Sequence, residues 1–263
     1  MELRGRKALV TGASKGIGEA VARALAAEGV VLAISARRLE ALEALADSVA
    51  SSGAVRPSVL AVDLSKRGEA EALATRTLAA LGNVDILINN AAAEGEGSYS
   101  EAGDGEHARE LFETNYWSPM ALTRALVPPM VARGSGAVVN VSSLGAITPI
   151  PRTGHYPSTK AALAIATEAL RVELNGSGVQ VVLVFPGLVN TPMYRAFKAR
   201  PDLGIKMRRN FGFMPVGRAT ALAQLLVSAL RRERRTIVYP RVYAATPLIP
   251  TLSRWVTRQL LAD

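Results

Sequence analysis

The sequence predicts an α/β protein on a doubly wound parallel sheet, and three observations carry that expectation. Short aliphatic runs alternate with helical patterns almost without interruption. The runs are apolar on both faces, as strands covered by helices on each side must be. A glycine-rich turn joins the first run to the first helix, the order expected of β–α–β units with right-handed crossovers.

Taken in order, Lys7–Thr11 reads as a buried strand. The following helix, Gly16–Glu28, sets Ile17, Val21, Ala24 and Leu25 on one face. Val30–Ser35 is a strand, Leu39–Ala50 a helix, Ser58–Val62 a strand, Glu69–Ala80 a helix and Val84–Ile88 a strand. A helix around Pro119–Ala132, a strand Ala137–Val141, a long helix Ser158–Leu174 and a strand Val179–Phe185 continue the alternation. Residues 191–217 mix Pro, Gly, Met and Arg and read as a loop-rich lid with short helices. Ala219–Leu230 is the next helix and Thr236–Tyr239 the last strand. The expectation is one domain over 1–263, with that lid and an amphipathic tail at 247–263.

Composition narrows the chemistry. With 263 residues, 49% hydrophobic and 20% charged, the chain has apolar material for one large core. Cysteine is absent, which excludes disulfides and a thiol nucleophile and fits a reducing compartment, so the cytoplasm is the expected location. His107 and His155 are the only histidines, and without HExxH-like spacing no metal site is expected. The polar start Met1–Lys7 does not resemble a signal peptide, and no apolar run reaches the ~18 residues of a membrane span. The net charge of +9 is uneven: residues 195–263 hold 14 Lys+Arg against 3 Asp+Glu, residues 1–194 17 against 19. The plain reading is a solvated basic surface; an acidic substrate handle or an anionic membrane are the alternatives. No groove-reading helix is evident, so no nucleic-acid partner is expected.

The glycine turn runs from Thr11 through Gly12, Ala13, Ser14, Lys15, Gly16 and Ile17 to Gly18, between strand and helix. Glycine there lets the backbone turn tightly and approach a pyrophosphate, whose charge meets amides at the positive end of the helix. The second strand ends Ile34, Ser35, Ala36, Arg37, Arg38, with no acid to bind a ribose 2′-hydroxyl. Arg37 offers a planar fork for a 2′-phosphate, with Arg38 beside it and Lys15 as a point charge. NADP(H) is therefore the expected cofactor. Cations opening a helix are misplaced unless an anion joins them, which points the same way.

At this point the sequence resembles the short-chain dehydrogenase/reductase family over nearly its whole length. The ordered set is the TGxxxGxG turn, Asp63-Leu64, Asn89 to Ala92, Asn115, Ser142-Ser143, Tyr156 with Lys160, and Pro186-Gly187. The resemblance implies a Rossmann fold with Tyr156 as acid/base, Ser143 holding the substrate oxygen, and Lys160 lowering the phenol's pKa together with an oxidised nicotinamide. It implies that Asn115 stabilises a helix irregularity and a proton-relaying water. Residues four apart share a helix face, so the Tyr156–Lys160 spacing suits a joint role. By the same resemblance Asp63 and Leu64 flank the adenine, Asn90 and Ala91 the adenosine ribose, Lys160 the nicotinamide ribose, and Pro186, Gly187, Val189 and Thr191 the nicotinamide. Ala92 departs from the family's glycine; were φ positive there, alanine would cost about 1 kcal/mol.

The lid residues Met193, Tyr194, Phe197, Ile205, Met207, Phe211, Phe213 and Met214 predict a hydrophobic carbonyl or alcohol substrate. The leading expectation is NADPH-dependent reduction of such a ketone, or the reverse; a 3-oxoacyl-thioester reductase and a non-catalytic NADP-binding regulator are the alternatives. The C-terminal ending resembles the steroid and retinoid dehydrogenase branch more than 3-oxoacyl carrier-protein reductases. That resemblance implies a homodimer through the long helices near 118–132 and 158–174, with a tetramer the alternative. In the tail, Leu248, Leu252, Trp255, Val256 and Leu260 share a face away from Arg254 and Arg258. Packing over a dimer mate's cleft stands first for that face, peripheral membrane contact second.

Overall fold

The computed structural model describes residues 1–148, 150, 152–201 and 215–261, with side chains through Gln259. Seven strands form one parallel sheet: β1 (Lys7–Thr11), β2 (Val31–Ala36), β3 (Ser58–Ala61), β4 (Ile86–Asn89), β5 (Gly136–Val141), β6 (Val179–Pro186) and β9 (Thr236–Tyr239), in the order β3-β2-β1-β4-β5-β6-β9. The chain builds outward from β1 to β3, then crosses back to set β4 on the other side of β1. The carboxyl ends of β1 and β4 therefore flank the crevice where the winding reverses, the place such sheets hold ligands.

The strands are aliphatic because both faces are covered. One face packs helices Gly16–Ala27, Leu39–Ser51 and Ala219–Arg231 against Val10, Ile34, Ile86 and Val139. The other packs Glu69–Leu81 and Ser118–Ala132 against Leu9, Leu87 and Val138. Leu87 has no exposed surface, so truncating it to alanine costs about 2–5 kcal/mol.

Expected and observed elements differ in three instructive places. The long helix begins at Tyr156, two residues early, because Pro157 falls in the first turn, where no amide partner is required. The helix around Pro119–Ala132 is the last part of a helical run from Glu106 that passes through a π-turn at Glu113–Trp117. It continues past Pro128 and Pro129 because those residues sit on its exposed side, where carbonyls without an amide donor meet water. The lid is anchored by a short ladder of β7 (Val189–Asn190) and β8 (Gly217–Arg218). A Cβ on Gly217 would lie 2.2 Å from the Tyr239 ring, and the Tyr239 hydroxyl accepts from the Arg218 amide, so this base is closely packed. Met193, Tyr194 and Phe197 share the partly buried side of helix Pro192–Ala199, whereas Ile205, Met207, Phe211, Phe213 and Met214 lie outside the described residues.

Candidate active site

The glycine turn is held by side chains from its own strand and from the loop after β4. Thr11 Oγ1 donates to the Ile88 carbonyl and accepts from the Asn90 and Ala91 amides. The Asn90 amide group donates to the Thr11 carbonyl at 2.9 Å and to Gly12 at 3.3 Å. Contact this close demands glycine: at Gly12, where φ is +67°, a Cβ would lie 2.7 Å from Ala91 Cα, and at Gly18 it would lie 2.3 Å from the Gly12 carbonyl oxygen. Gly16 turns at φ +65° against Thr191, which brings the start of the lid onto the turn. Helix Gly16–Ala27 opens at Lys15 with no side chain capping it, so its first amides and positive end face the crevice. Ser14 and Ile17 are partly buried, and Lys15 is exposed. The cradle fits a dinucleotide pyrophosphate, with these glycines giving the close approach and the helix end the charge.

Arg37 and Arg38 are exposed at the end of β2. Burial pushes the Asp63 carboxyl up, but bonds from the Ser65 amide and hydroxyl, with the nearby Arg37 and Lys66 charges, hold it below the usual range. Arg37 and Asp63 are thus neighbours, with buried Leu64 next in the chain.

At the carboxyl end of β5 the structure separates two adjacent serines. Ser142 is buried and its hydroxyl donates to the Lys160 carbonyl at 2.8 Å, so it ties strand to helix. Ser143 Oγ accepts from the Gly145 amide at 3.0 Å and lies beside the Tyr156 phenol, whose pKa it holds down. Lys160, one helical turn beyond Tyr156, is 2% exposed; its Nζ donates to the Val141 carbonyl at 3.0 Å and lies 6.0 Å from the Tyr156 ring centre. Ser143, Tyr156 and Lys160 are therefore gathered in one place beside the crevice.

Asn115 sits inside the π-turn, fully buried. Its Oδ1 accepts from the Ala93 amide at 2.8 Å, and its Nδ2 donates to the Ala93 carbonyl and to Thr159 Oγ1, both at 3.0 Å. Thr159 in turn donates to the Tyr156 carbonyl at 2.7 Å. The extra residue in the turn faces Asn115 inward, clamping the loop after β4 to the helix that carries Tyr156. Ala92 does not share the positive φ expected of a glycine site, so the anticipated cost of alanine is not incurred.

Burial raises the Tyr156 pKa above its ordinary value; the Ser143 hydroxyl opposes this and the Glu94 carboxylate adds to it. Burial also acts on the Lys160 ammonium and brings its pKa down to about 8.

Glu94 was not among the expected site residues. Burial raises its pKa, partly offset by the charges of Lys15 and Arg200, while Glu96 pushes the same way as burial. It follows Ala93, pinned by Asn115, and precedes Gly95, where a Cβ would lie 2.1 Å from the Thr153 carbonyl oxygen. An acid directly after Asn89 to Ala93 was the available signal; Thr159, as a small polar helix residue, carried none.

Pro186 ends β6, and Gly187, Val189 and Thr191 follow it in the chain. A Cβ on Gly187 would lie 2.8 Å from the Tyr243 ring and 2.9 Å from Leu144, and its amide donates to the Tyr239 carbonyl at 2.7 Å. Val189 is buried in the short ladder, and Thr191 caps helix Pro192–Ala199 by accepting from the Tyr194 amide. Leu144, Phe185 and Tyr243, with Ile147 and Leu188, form an apolar wall beside Ser143.

Comparison with known proteins gives concordant results. The profile described as short chain dehydrogenase matches residues 6–202. A short chain dehydrogenase of Pseudocercospora fijiensis is 39% identical over 193 residues, 73% of this chain and 62% of its own length. The 11-beta-hydroxysteroid dehydrogenase A of Arachis hypogaea is 32% identical over 265 residues, 97% of this chain and 75% of its own. The crystal structure of L-sorbose reductase from Gluconobacter frateurii, complexed with NADPH and L-sorbose, superposes with a TM-score of 0.80 at 29% identity, covering 90% of this chain and 97% of that one.

Proposed function

Because this chain belongs to the short chain dehydrogenase family, whose members interconvert CH–OH and C=O groups, we propose that it reduces a hydrophobic ketone with NADPH and that Tyr156 is the proton donor. The observation that carries the reading is the convergence of the Tyr156 phenol with the Ser143 hydroxyl, one turn from Lys160, at the crevice edge of the sheet.

Bound NADPH would supply the hydride. Arg37, Arg38 and Lys15 would hold its 2′-phosphate, and the Gly12 to Gly18 turn its pyrophosphate; the L-sorbose reductase neighbour is itself complexed with NADPH. Ser143 would donate to the carbonyl oxygen and set it in line with the phenol. Burial favours the neutral phenol, which is the form that gives a proton to a developing alkoxide. Lys160, with a pKa of about 8, is still mostly charged at neutral pH and would steady that oxygen's charge and the nicotinamide ribose. Asn115 and Thr159 hold the tyrosine's own backbone. The apolar wall of Leu144, Ile147, Phe185 and Tyr243 favours a hydrophobic substituent over a sugar-like one.

A homodimer through helices Ser118–Ala132 and Tyr156–Glu173 belongs to the same reading. Trp117, Val131, Ile165 and Val172 expose apolar surface on or next to those helices.

The test is NADPH oxidation across a panel of aromatic and alicyclic ketones, ketoses and 3-oxoacyl thioesters. Turnover confined to ketoses would overturn the hydrophobic assignment. Turnover confined to thioesters would favour the acyl-thioester alternative, and none at all with tight NADPH binding would favour a regulator.

A further inference from the structure

We propose that the outward face of the C-terminal helix docks the protein on a membrane surface rich in anionic lipid. Helix Pro250–Leu261 is amphipathic but set the reverse way to a helix that covers a core. Two of its polar residues reach back to the rest of the chain: Ser253 donates to the Thr246 carbonyl, and Arg254 Nε donates to the Ile147 carbonyl at 3.1 Å. Its apolar residues face away: Leu252 is 52% and Trp255 57% exposed, Val256 lies beside them, and Leu248, just ahead, is 81% exposed. Leu248, Ile249, Leu252 and Trp255 line an open apolar depression. An apolar surface this continuous, carrying a tryptophan, needs a covering partner.

Charge selects the partner. Residues 240–262 contain three arginines and no aspartate or glutamate, and all three, Arg241, Arg254 and Arg258, are exposed. A two-fold contact between copies would set this patch against itself and bring like charges together. An anionic headgroup layer accepts both features, since apolar side chains enter the acyl boundary and arginines reach phosphates. Among the described residues no helix is long and apolar enough to cross a membrane, so the mode is lying on the surface. Through Arg254 the helix leans on Ile147, four residues past Ser143, so docking would bring the cleft toward the lipid that dissolves a hydrophobic ketone. That consequence rests on the proposed function; the docking itself does not.

The experiment is co-sedimentation of the full chain with vesicles of phosphatidylcholine alone or mixed equally with phosphatidylglycerol. Binding to the mixed vesicles should exceed binding to the neutral ones by about tenfold or more, and added salt should weaken it. The double variant Leu252→Gln/Trp255→Gln should lose it while keeping its NADPH-dependent turnover. In a Trp117→Phe background the remaining tryptophan, Trp255, should shift its emission to the blue on adding mixed vesicles, with the helix left intact. Absence of both sedimentation and shift, or undiminished binding by the double variant, would overturn the proposal. So would a smaller sedimenting species for the double variant without any vesicle effect, which would assign the face to a second copy. Failure of turnover with binding preserved would strike the functional reading and leave this one standing.

Discussion

Asn115 Nδ2 lies 3.0 Å from Thr159 Oγ1, a bond across 44 residues that joins the π-turn to the helix bearing Tyr156. Thr159→Val keeps the volume and removes the hydroxyl that accepts from Asn115 and donates to the Tyr156 carbonyl. The expected cost is about 1–3 kcal/mol of stability, with kcat falling and the NADPH Kd unchanged. A melting curve with steady-state kinetics checks it; an unchanged kcat would make this link purely structural.

Tyr156→Phe removes the proposed donor and preserves the ring. Turnover should fall by about 10²–10⁴-fold while NADPH still quenches protein fluorescence. Retained turnover would eliminate the phenol as the acid.

Arg37→Asp replaces the proposed phosphate fork with an acid suited to a ribose hydroxyl. The NADPH-over-NADH ratio of kcat/KM should drop by about tenfold or more, worth ~1.4 kcal/mol. If the ratio holds, Lys15 or Arg38 carries the selection.

Lys160 gives a stability signature. Its folded pKa, about 8, is below the unfolded value near 10.5, so the unfolded chain binds more protons between those limits and stability rises with pH across them. The penalty on the charged form is complete below pH ~8 and relieved above ~10.5, an increment of about 3 kcal/mol. Without NADPH, wild type should gain stability over that window relative to Lys160→Met in denaturant titrations. Parallel curves would show the ammonium is better solvated than its burial implies.

Glu94→Gln removes a carboxylate that raises the Tyr156 pKa. The alkaline limb of the kcat profile for ketone reduction should move to lower pH, because the phenol then loses its proton earlier. A fixed limb with altered KM would make Glu94 a substrate contact instead.

Much of this molecule was legible before any coordinates. The aliphatic runs marked the strands of the parallel sheet, since a strand covered on both faces has little choice of residue. The glycine turn was visible because only glycine tolerates φ near +67° at Gly12 with Ala91 so close. The four-residue step from Tyr156 to Lys160 marked a shared helix face before the helix was seen.

Other features depend on distance in space, which sequence spacing does not encode. Ser142 and Ser143 are neighbours in the chain, yet alternation at the strand end turns one into the packing and the other toward the phenol. The direction of the Tyr156 shift follows from burial, summed over segments far apart in sequence. Glu94 gained significance only when the loop after β4 folded beside Lys15 and Tyr156. The tail was readable as amphipathic, but which side met the protein was decided by Arg254 reaching Ile147, 107 residues away. Periodicity and backbone geometry are local and so are written in the chain; solvation, pairing and orientation are collective and exist only once the chain has closed on itself.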